Sequence, residues 1–75
     1  MDEPSFVKNI KESIGGLEDA ELDFQTVLAD LVEWDSLAVI STISMFDLKY
    51  QVKVTGADVQ KCRTVGDLAT LVEKK

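Results

Sequence analysis

The chain has 75 residues, the length of one small domain, and it carries a net charge of −6, no histidine and a single cysteine, Cys62. Without histidine, Ser–His and Cys–His catalysis are excluded, and one cysteine can form neither an internal disulfide nor a thiolate metal site. The negative charge argues against nucleic acids and anionic membranes as partners, because their phosphates would be repelled.

Composition and hydropathy indicate a globular protein that does not insert into membranes. Apolar residues make up 45% of the chain, and no apolar run approaches the roughly 20 residues that cross a bilayer. The segment Met1-Asp2-Glu3 lacks the basic and apolar regions of a secretory signal. We therefore expect a cytoplasmic monomer formed by a single domain over residues 1–75. Cys62 is expected to be a buried small hydrophobe and not a reactive thiol.

The first predicted helix begins near Pro4, whose fixed φ suits an opening turn. It ends at Gly15-Gly16, because paired glycines interrupt a helix. Between these limits, helical spacing predicts one apolar face made of Phe6, Val7, Ile10 and Ile14.

Residues 17–33 show no clean periodicity and predict a long loop, with one turn of helix around Phe24 to Leu28. Seven acidic residues and no basic one lie between Glu18 and Asp35. This run fits either a solvated acidic loop or a surface that steers basic partners. The loop is expected to pack down through its apolar side chains, which are Leu22, Phe24, Val27, Leu28 and Leu31.

The second predicted helix runs from Ser36 to Tyr50, with Asp35 or Ser36 as its N-cap. Steps of four, three and four residues predict a core-facing stripe, with Ile40 beside it, made of Val39, Ile43, Phe46 and Tyr50. The opposite face is less polar than a free surface helix normally is, and it carries Leu37, Ser41, Met45 and Leu48.

The last third of the chain predicts an extended connector through Val52 and Val54, followed by two helices. Thr55-Gly56-Ala57-Asp58 is similar to a capping box and opens a short helix through about Lys61. Thr64-Val65-Gly66-Asp67 repeats the pattern and opens the final helix, whose inward residues should be Val65, Leu68, Leu71 and Val72. The predicted fold is all-α, a small four-helix bundle with a long loop between helices 1 and 2 and a short third helix.

The residues best placed to carry chemistry are Asp35-Ser36-Leu37, at the start of the second helix. A serine at this position is first of all a helix cap. Three features favour a functional role. The hydroxyl lies where a long loop meets a rigid helix, free N–H groups and the helix dipole favour an attached anion, and an acid and a bulky apolar residue flank the serine.

Taken together with the predicted helices, the Asp35-Ser36-Leu37 motif makes the whole chain resemble the acyl carrier protein family. The resemblance includes the order of helices and acidic loop, Asp35-Ser36-Leu37, and the closing pattern Thr64 to Leu68. It implies that a separate transferase, with magnesium, attaches a 4′-phosphopantetheine arm from coenzyme A to Ser36. The arm's thiol would hold acyl groups as thioesters, with Asp35 in the recognised motif and Leu37 contacting partner enzymes.

The resemblance also implies that an acyl chain can shelter between the helices. By position this interior would involve Ile40, Phe46, Val59, Cys62 and Leu68, which are equally explained as ordinary core.

Two features depart from the usual family pattern. Where the family places acids along the second helix, this chain has Ala38, Ser41, Leu48 and Lys49, and only Asp47 is acidic. We therefore expect apolar docking of transferase and acyl-loading and acyl-processing enzymes on the face carrying Leu37, Ser41, Met45 and Leu48. Trp34, directly before Asp35, is the second departure, and we expect it to pack the loop. These departures favour a specialised carrier over the housekeeping fatty-acid carrier. The resemblance as a whole implies partner enzymes of fatty-acid, polyketide or related lipid biosynthesis.

Three alternatives are left. An aminoacyl or peptidyl carrier would share the fold and the arm. An unmodified helical interaction module would use Ser36 only as a cap, so that Ser36→Ala would cost about 1 kcal/mol. A self-contained enzyme is the least favoured, because the chain lacks histidine and is too small to enclose a substrate pocket.

Overall fold

Four α-helices form the protein in the computed structural model, which describes residues 2–74. They are α1 (Glu3–Ser13), α2 (Ser36–Met45), α3 (Gly56–Gln60) and α4 (Val65–Lys74). A loop with one turn of 3-10 helix, Leu28–Asp30, joins α1 to α2, and a π-helical turn, Phe46–Tyr50, extends α2. Within residues 2–74 there is no strand, only an isolated bridge between Val27 and Thr64. The predicted all-α bundle with a long first loop and short third helix is confirmed.

Helix α1 is stabilised by an N-cap at its start and by one apolar face that is buried in the core. Asp2 is the N-cap, and its carboxylate accepts a hydrogen bond from the Ser5 N–H at 3.1 Å. The predicted apolar face is confirmed, since Phe6, Val7, Ile10 and Ile14 are all buried. The chain then turns through Gly16, whose φ of +92° suits glycine.

The centre of the core is an aromatic cluster around Phe6. Its ring centroid lies 6.0 Å from those of Phe24 and Phe46 and 5.9 Å from that of Tyr50. The Asn9 side-chain amide donates a hydrogen bond to the Tyr50 hydroxyl at 2.7 Å. The cluster therefore joins the loop, the first half of α1 and the turn that extends α2.

The long loop is held by main-chain hydrogen bonds to the start of α4. The Leu28 N–H donates to the Arg63 carbonyl at 2.7 Å, the Val65 N–H to the Thr26 carbonyl at 3.1 Å, and the Gly66 N–H to the Phe24 carbonyl at 2.9 Å. The Thr26 N–H closes a turn onto the Asp23 carbonyl at 3.1 Å, and Val27 is extended beside Thr64, so the helical turn predicted over Phe24 to Leu28 does not form there. The turn that forms is Leu28–Asp30. Of the expected packing residues, Leu28 is buried, and the others are half-buried: Leu22, Phe24, Val27 and Leu31.

Helix α2 presents a different face to the core from the one its apolar pattern predicts. Val39 and Phe46 are buried as expected, and Ile43 and Tyr50 are half-buried. Ile40, however, is exposed, and the buried stripe is Ala38, Val39, Thr42, Met45 and Phe46. Because Ala38 is small and Thr42 is polar, the periodicity of large apolar residues does not identify this stripe. The neighbouring apolar residues therefore indicated the wrong rotation of the helix.

The C-terminal part follows the predicted caps closely. The Thr55 hydroxyl and Asp58 carboxylate each accept the other's main-chain N–H at 3.1 Å, and Thr64 and Asp67 do the same at the start of α4. Helix α3 ends at Gln60, one residue earlier than expected. On α4 the inward residues Val65, Leu68 and Val72 are buried, Leu71 is half-buried, and Ala69 is also buried.

None of the helices described within residues 2–74 is long and apolar enough to span a membrane.

Candidate functional site

Asp35 is the N-cap of α2, and this leaves the Ser36 hydroxyl free. The Asp35 main chain is extended, and its Oδ1 accepts a hydrogen bond from the Ala38 N–H at 2.9 Å. Ser36 is the first residue of the helix and is exposed. Its hydroxyl bonds to no other residue of the described part of the chain. The choice between Asp35 and Ser36 is thus decided for Asp35, and the expectation that Ser36→Ala removes a cap is wrong.

The N-terminal end of α2 also has unused hydrogen-bond donors. The main-chain N–H groups of Ser36 and Leu37 donate to no acceptor within residues 2–74, whereas the next two N–H groups donate to Asp35. Free N–H groups at the positive end of a helix dipole favour an anion. An exposed, unbonded hydroxyl beside two such donors fits a phosphodiester attached at Ser36.

Trp34 packs against the protein and borders a cleft of about 250 Å³ on the α3 side. The indole is half-buried against the core. The main-chain N–H of Trp34 donates a hydrogen bond to the Leu31 carbonyl at 3.1 Å. The expected packing role of Trp34 is confirmed. Since Trp34 lies directly before Asp35, its burial anchors the loop at the point where α2 begins.

Cys62 borders the same cleft and is half-buried, so the expectation that it is buried is wrong. Its Sγ lies 3.6 Å from the Asp58 carbonyl oxygen, to which the thiol donates. Burial, together with the negative charges of Asp67 and Asp58, raises the pKa of the Cys62 thiol above its usual value. The thiol therefore stays protonated near neutral pH, which agrees with a packing role and not with a nucleophile.

The side chains predicted to form the docking face of α2 differ in their exposure. Leu37 and Leu48 are 69% and 82% exposed, and Ser41 is half-buried. Met45 is only 3% exposed, because it belongs to the buried stripe, so its place on the docking face is wrong. Ile40, which the sequence assigned to the interior, is 59% exposed and lies on this face instead.

The residues considered for an acyl-binding interior do not all lie inside the protein. Phe46, Val59 and Leu68 are completely buried, while Cys62 is half-buried and Ile40 is exposed. The sequence analysis missed Thr42, whose hydroxyl is fully buried and has no hydrogen-bond partner in the described structure. A threonine in a helix that also contains three serines carries no pattern that would mark it as buried.

No group of three or more potential metal ligands occurs among the residues that the structure describes.

Comparisons with known proteins agree with this geometry. The family described as phosphopantetheine attachment site matches residues 5–72. The acyl carrier protein of Thermotoga maritima is 34% identical over 71 residues, covering 95% of this chain and 88% of that protein. That of Rhodococcus erythropolis is 32% identical over 87% of this chain and 71% of its own length.

A longer relative is the meromycolate extension acyl carrier protein of Mycobacterium leprae, which is 31% identical over 91% of this chain. The match spans 59% of the length of that protein. No solved structure matches the chain significantly. The match to nearly the whole chain and the 34% identity to a carrier of similar length show the family. The chain belongs to the acyl carrier protein family, and its residues 5–72 form the phosphopantetheine attachment domain of that family.

Proposed function

We propose that this chain carries acyl groups as thioesters on a 4′-phosphopantetheine arm bonded to Ser36, and presents them to enzymes of fatty-acid, polyketide or related lipid biosynthesis. The observation that supports this most strongly is the division of roles between Asp35 and Ser36. The Asp35 carboxylate caps the helix, so the exposed Ser36 hydroxyl has no structural role. Such a hydroxyl is free to be modified without loss of a stabilising bond.

The chain's own residues would hold and position the arm. Ser36 would provide the covalent bond, and the free N–H groups of Ser36 and Leu37 would favour the negatively charged phosphate. Trp34 and the Asp35 cap keep this end of α2 rigid. The arm supplies the thiol that bears the acyl group, so the protein needs only to provide position and recognition.

The partners would be a phosphopantetheinyl transferase and the enzymes that load and process the acyl group. We propose that they dock on the exposed side chains of α2, with Leu37 beside the attachment point and Ser41 and Leu48 farther along the helix. The acidic loop before Asp35 would steer basic partner surfaces toward this end. Catalysis would belong to the partners, and this chain would act as a single monomeric domain. A cytoplasmic location stays a prediction from the sequence.

The unmodified interaction module is less well supported than the carrier. That hypothesis required Ser36 to be present as a helix cap, and Asp35 fills that role. The aminoacyl or peptidyl carrier shares the attachment site. The relatives described above are named as acyl carriers, which favours acyl cargo.

The test is the intact mass of the chain after incubation with coenzyme A, magnesium and a broad-specificity phosphopantetheinyl transferase. We expect one added phosphopantetheinyl group on the natural chain and on the control Ser44→Ala, an exposed serine of the same helix. Ser36→Ala should gain nothing. Absence of any gain on the folded natural chain, or a gain on Ser36→Ala, would contradict the proposal.

A further inference from the structure

The surface of α2 has a groove that begins at the attachment serine. In a helix, residues four positions apart form ridges, and two neighbouring ridges enclose a groove. One ridge starts at Ser36 and continues through Ile40, and the next starts at Leu37 and continues through Ser41. The groove between these two ridges therefore begins beside the Ser36 side chain and follows the helix.

This groove leads into a cleft of about 300 Å³ between α1 and α2. The two ridges border the cleft on the α2 side, and Ser13, the last residue of α1, borders it on the other. Leu48 and Lys49 border the end farther from Ser36, and the buried Met45 contributes to the lining. The cleft therefore combines apolar side chains with serine hydroxyls.

Two of these hydroxyls have no partner within the described chain. Ser13 and Ser41 are both half-buried and border the cleft from different helices. Neither side chain forms a hydrogen bond with another residue of positions 2–74. Because a serine hydroxyl can donate one hydrogen bond and accept others, the cleft suits a ligand that has both amide and apolar groups.

The length and the chemistry of a 4′-phosphopantetheine arm match this path. About thirteen bonds join its phosphorus atom to its sulfur atom, and three bonds of an extended chain span about 3.5 Å, so the arm reaches about 15 Å. That distance corresponds to about ten residues of helix. An arm on Ser36 would therefore end within the cleft, between Ile40 and Lys49. The amide groups of the arm suit the serine hydroxyls, and its methyl groups suit the apolar side chains.

We propose that the phosphopantetheine arm rests in the cleft between α1 and α2 when no partner enzyme is bound. Ser13 and Ser41 bond to its amide groups, and Ile40 and Leu48 contact its methyl and methylene groups. Leu48 is also one of the side chains proposed above to contact partners, so a docked partner displaces the arm. The inference rests on the proposed carrier function and adds a binding site for the arm.

A second cleft near Ser36 is the competing position for the arm. It has a volume of about 250 Å³ and is bordered by Trp34, Cys62 and Arg63, among others. No residue of α2 borders it, so an arm held there would leave the helix at Ser36. The cleft between α1 and α2 is favoured because it continues the groove that begins at Ser36.

The test locates the arm by NMR in an isotope-labelled chain whose single phosphopantetheinyl group has been verified by intact mass. We expect nuclear Overhauser effects between the methyl groups of the arm and the side chains of Ile40 and Leu48. Apart from the neighbours of Ser36, the amides whose shifts differ most between the apo and modified chains should be residues 40–49 and Ser13. The amides that border the Trp34 cleft should not shift.

Leu48→Ser, with Val32→Ser as its matched control, tests the contact itself. Leu48 is 82% exposed, so its replacement should leave the core intact, and thermal melting checks this. Loss of the leucine contact should lower the ratio of cleft-bound to free arm about fivefold, and the shift changes at Ile40 and Ser41 should shrink accordingly. Val32 is 92% exposed and lies outside the cleft, so Val32→Ser should leave these shifts unchanged.

Overhauser effects from the arm to Trp34 or Cys62 would place the arm in the competing cleft and overturn the proposal. An arm with no Overhauser effect to any side chain beyond Leu37 would also overturn it, as would equal results for Leu48→Ser and Val32→Ser. In each of these cases the chain carries its arm, so the carrier function survives. A natural chain that gains no arm at all would overturn both proposals together.

Discussion

Replacing Asp35 by alanine tests the division of roles on which the site depends. Asp35 Oδ1 accepts one hydrogen bond, from the Ala38 N–H at 2.9 Å, at the start of a helix that contributes to the core. Loss of an N-cap of this kind costs about 1 kcal/mol, within a range of about 0.5–2. For a domain of this size, that corresponds to a fall in Tm of about 4–8 °C. Asp35→Asn keeps an acceptor oxygen and should stay close to the natural stability.

Comparing Ser36→Ala with Asp35→Ala shows which of the two residues caps α2. The Tm of each variant is measured by thermal melting, monitored by circular dichroism. Because the Ser36 hydroxyl has no bond in the described structure, its removal should change Tm by less than about 2 °C. If Ser36→Ala is destabilised as much as Asp35→Ala, the serine shares the cap. In that case the Ser36 hydroxyl has a structural role and is not free for modification.

Three further predictions concern the stability of the fold, through one residue of α2 and two residues in the first turn of α4. Gly66→Ala should destabilise the fold by about 1–3 kcal/mol in urea unfolding, because its Cβ would lie 2.8 Å from the Phe24 carbonyl oxygen; unchanged stability would show that this contact relaxes freely. Thr42→Val should stabilise the fold by about 1 kcal/mol, since it removes a buried hydroxyl without a partner; a loss of stability would show that the hydroxyl is bonded in solution. Hydrogen bonds from the main-chain N–H groups of Arg63 and Thr64 lower the pKa of the Asp67 carboxyl. The ionised carboxylate should therefore contribute to folding stability above its unfolded pKa of about 3.9, and this contribution should be lost as the pH falls through the lower pKa of the folded state. In unfolding measured against pH, Asp67→Asn should weaken that acid dependence; the same acid dependence in both chains would contradict the role of Asp67.

The helices whose ends are marked by local signals were predictable from the sequence. Asp2 and Pro4 open α1, and the helix ends at Ser13, two residues before the glycines predicted to stop it. The two Thr-x-x-Asp segments open α3 and α4, and the structure shows both sets of reciprocal bonds. Such caps act within three or four residues, so their effect can be recognised without knowledge of the fold.

Features that depend on distant residues could not be predicted in the same way. The loop before the turn at Leu28–Asp30 is fixed by main-chain hydrogen bonds from residues 24–28 to residues 63–66, which lie 35 to 42 positions later in the chain. The rotation of α2 was also misjudged, because Ile40 and Met45 are both apolar and the helix has few polar residues to mark its outer face. Tertiary packing placed Met45 inside and Ile40 outside.

The motif predicts Ser36 as the attachment residue, but the sequence did not show that its hydroxyl is unbonded. Asp35 and Ser36 are adjacent, and both residue types are favoured N-caps. The sequence therefore could not decide which of them capped α2. The extended main chain of Asp35 and its bond to Ala38 settle the assignment, and Ser36 is left exposed one residue later.

The most direct test of the account is to locate the phosphopantetheinyl group after enzymatic modification of the natural chain. Trypsin cleavage after Lys11 and Lys49 releases one peptide that contains four serines, which are Ser13, Ser36, Ser41 and Ser44. Fragmentation of this peptide in a mass spectrometer assigns the added group to one of them. We expect a single group on Ser36 and none on the other three. A group on another serine, or an unmodified peptide from a folded chain treated with active transferase, would contradict it.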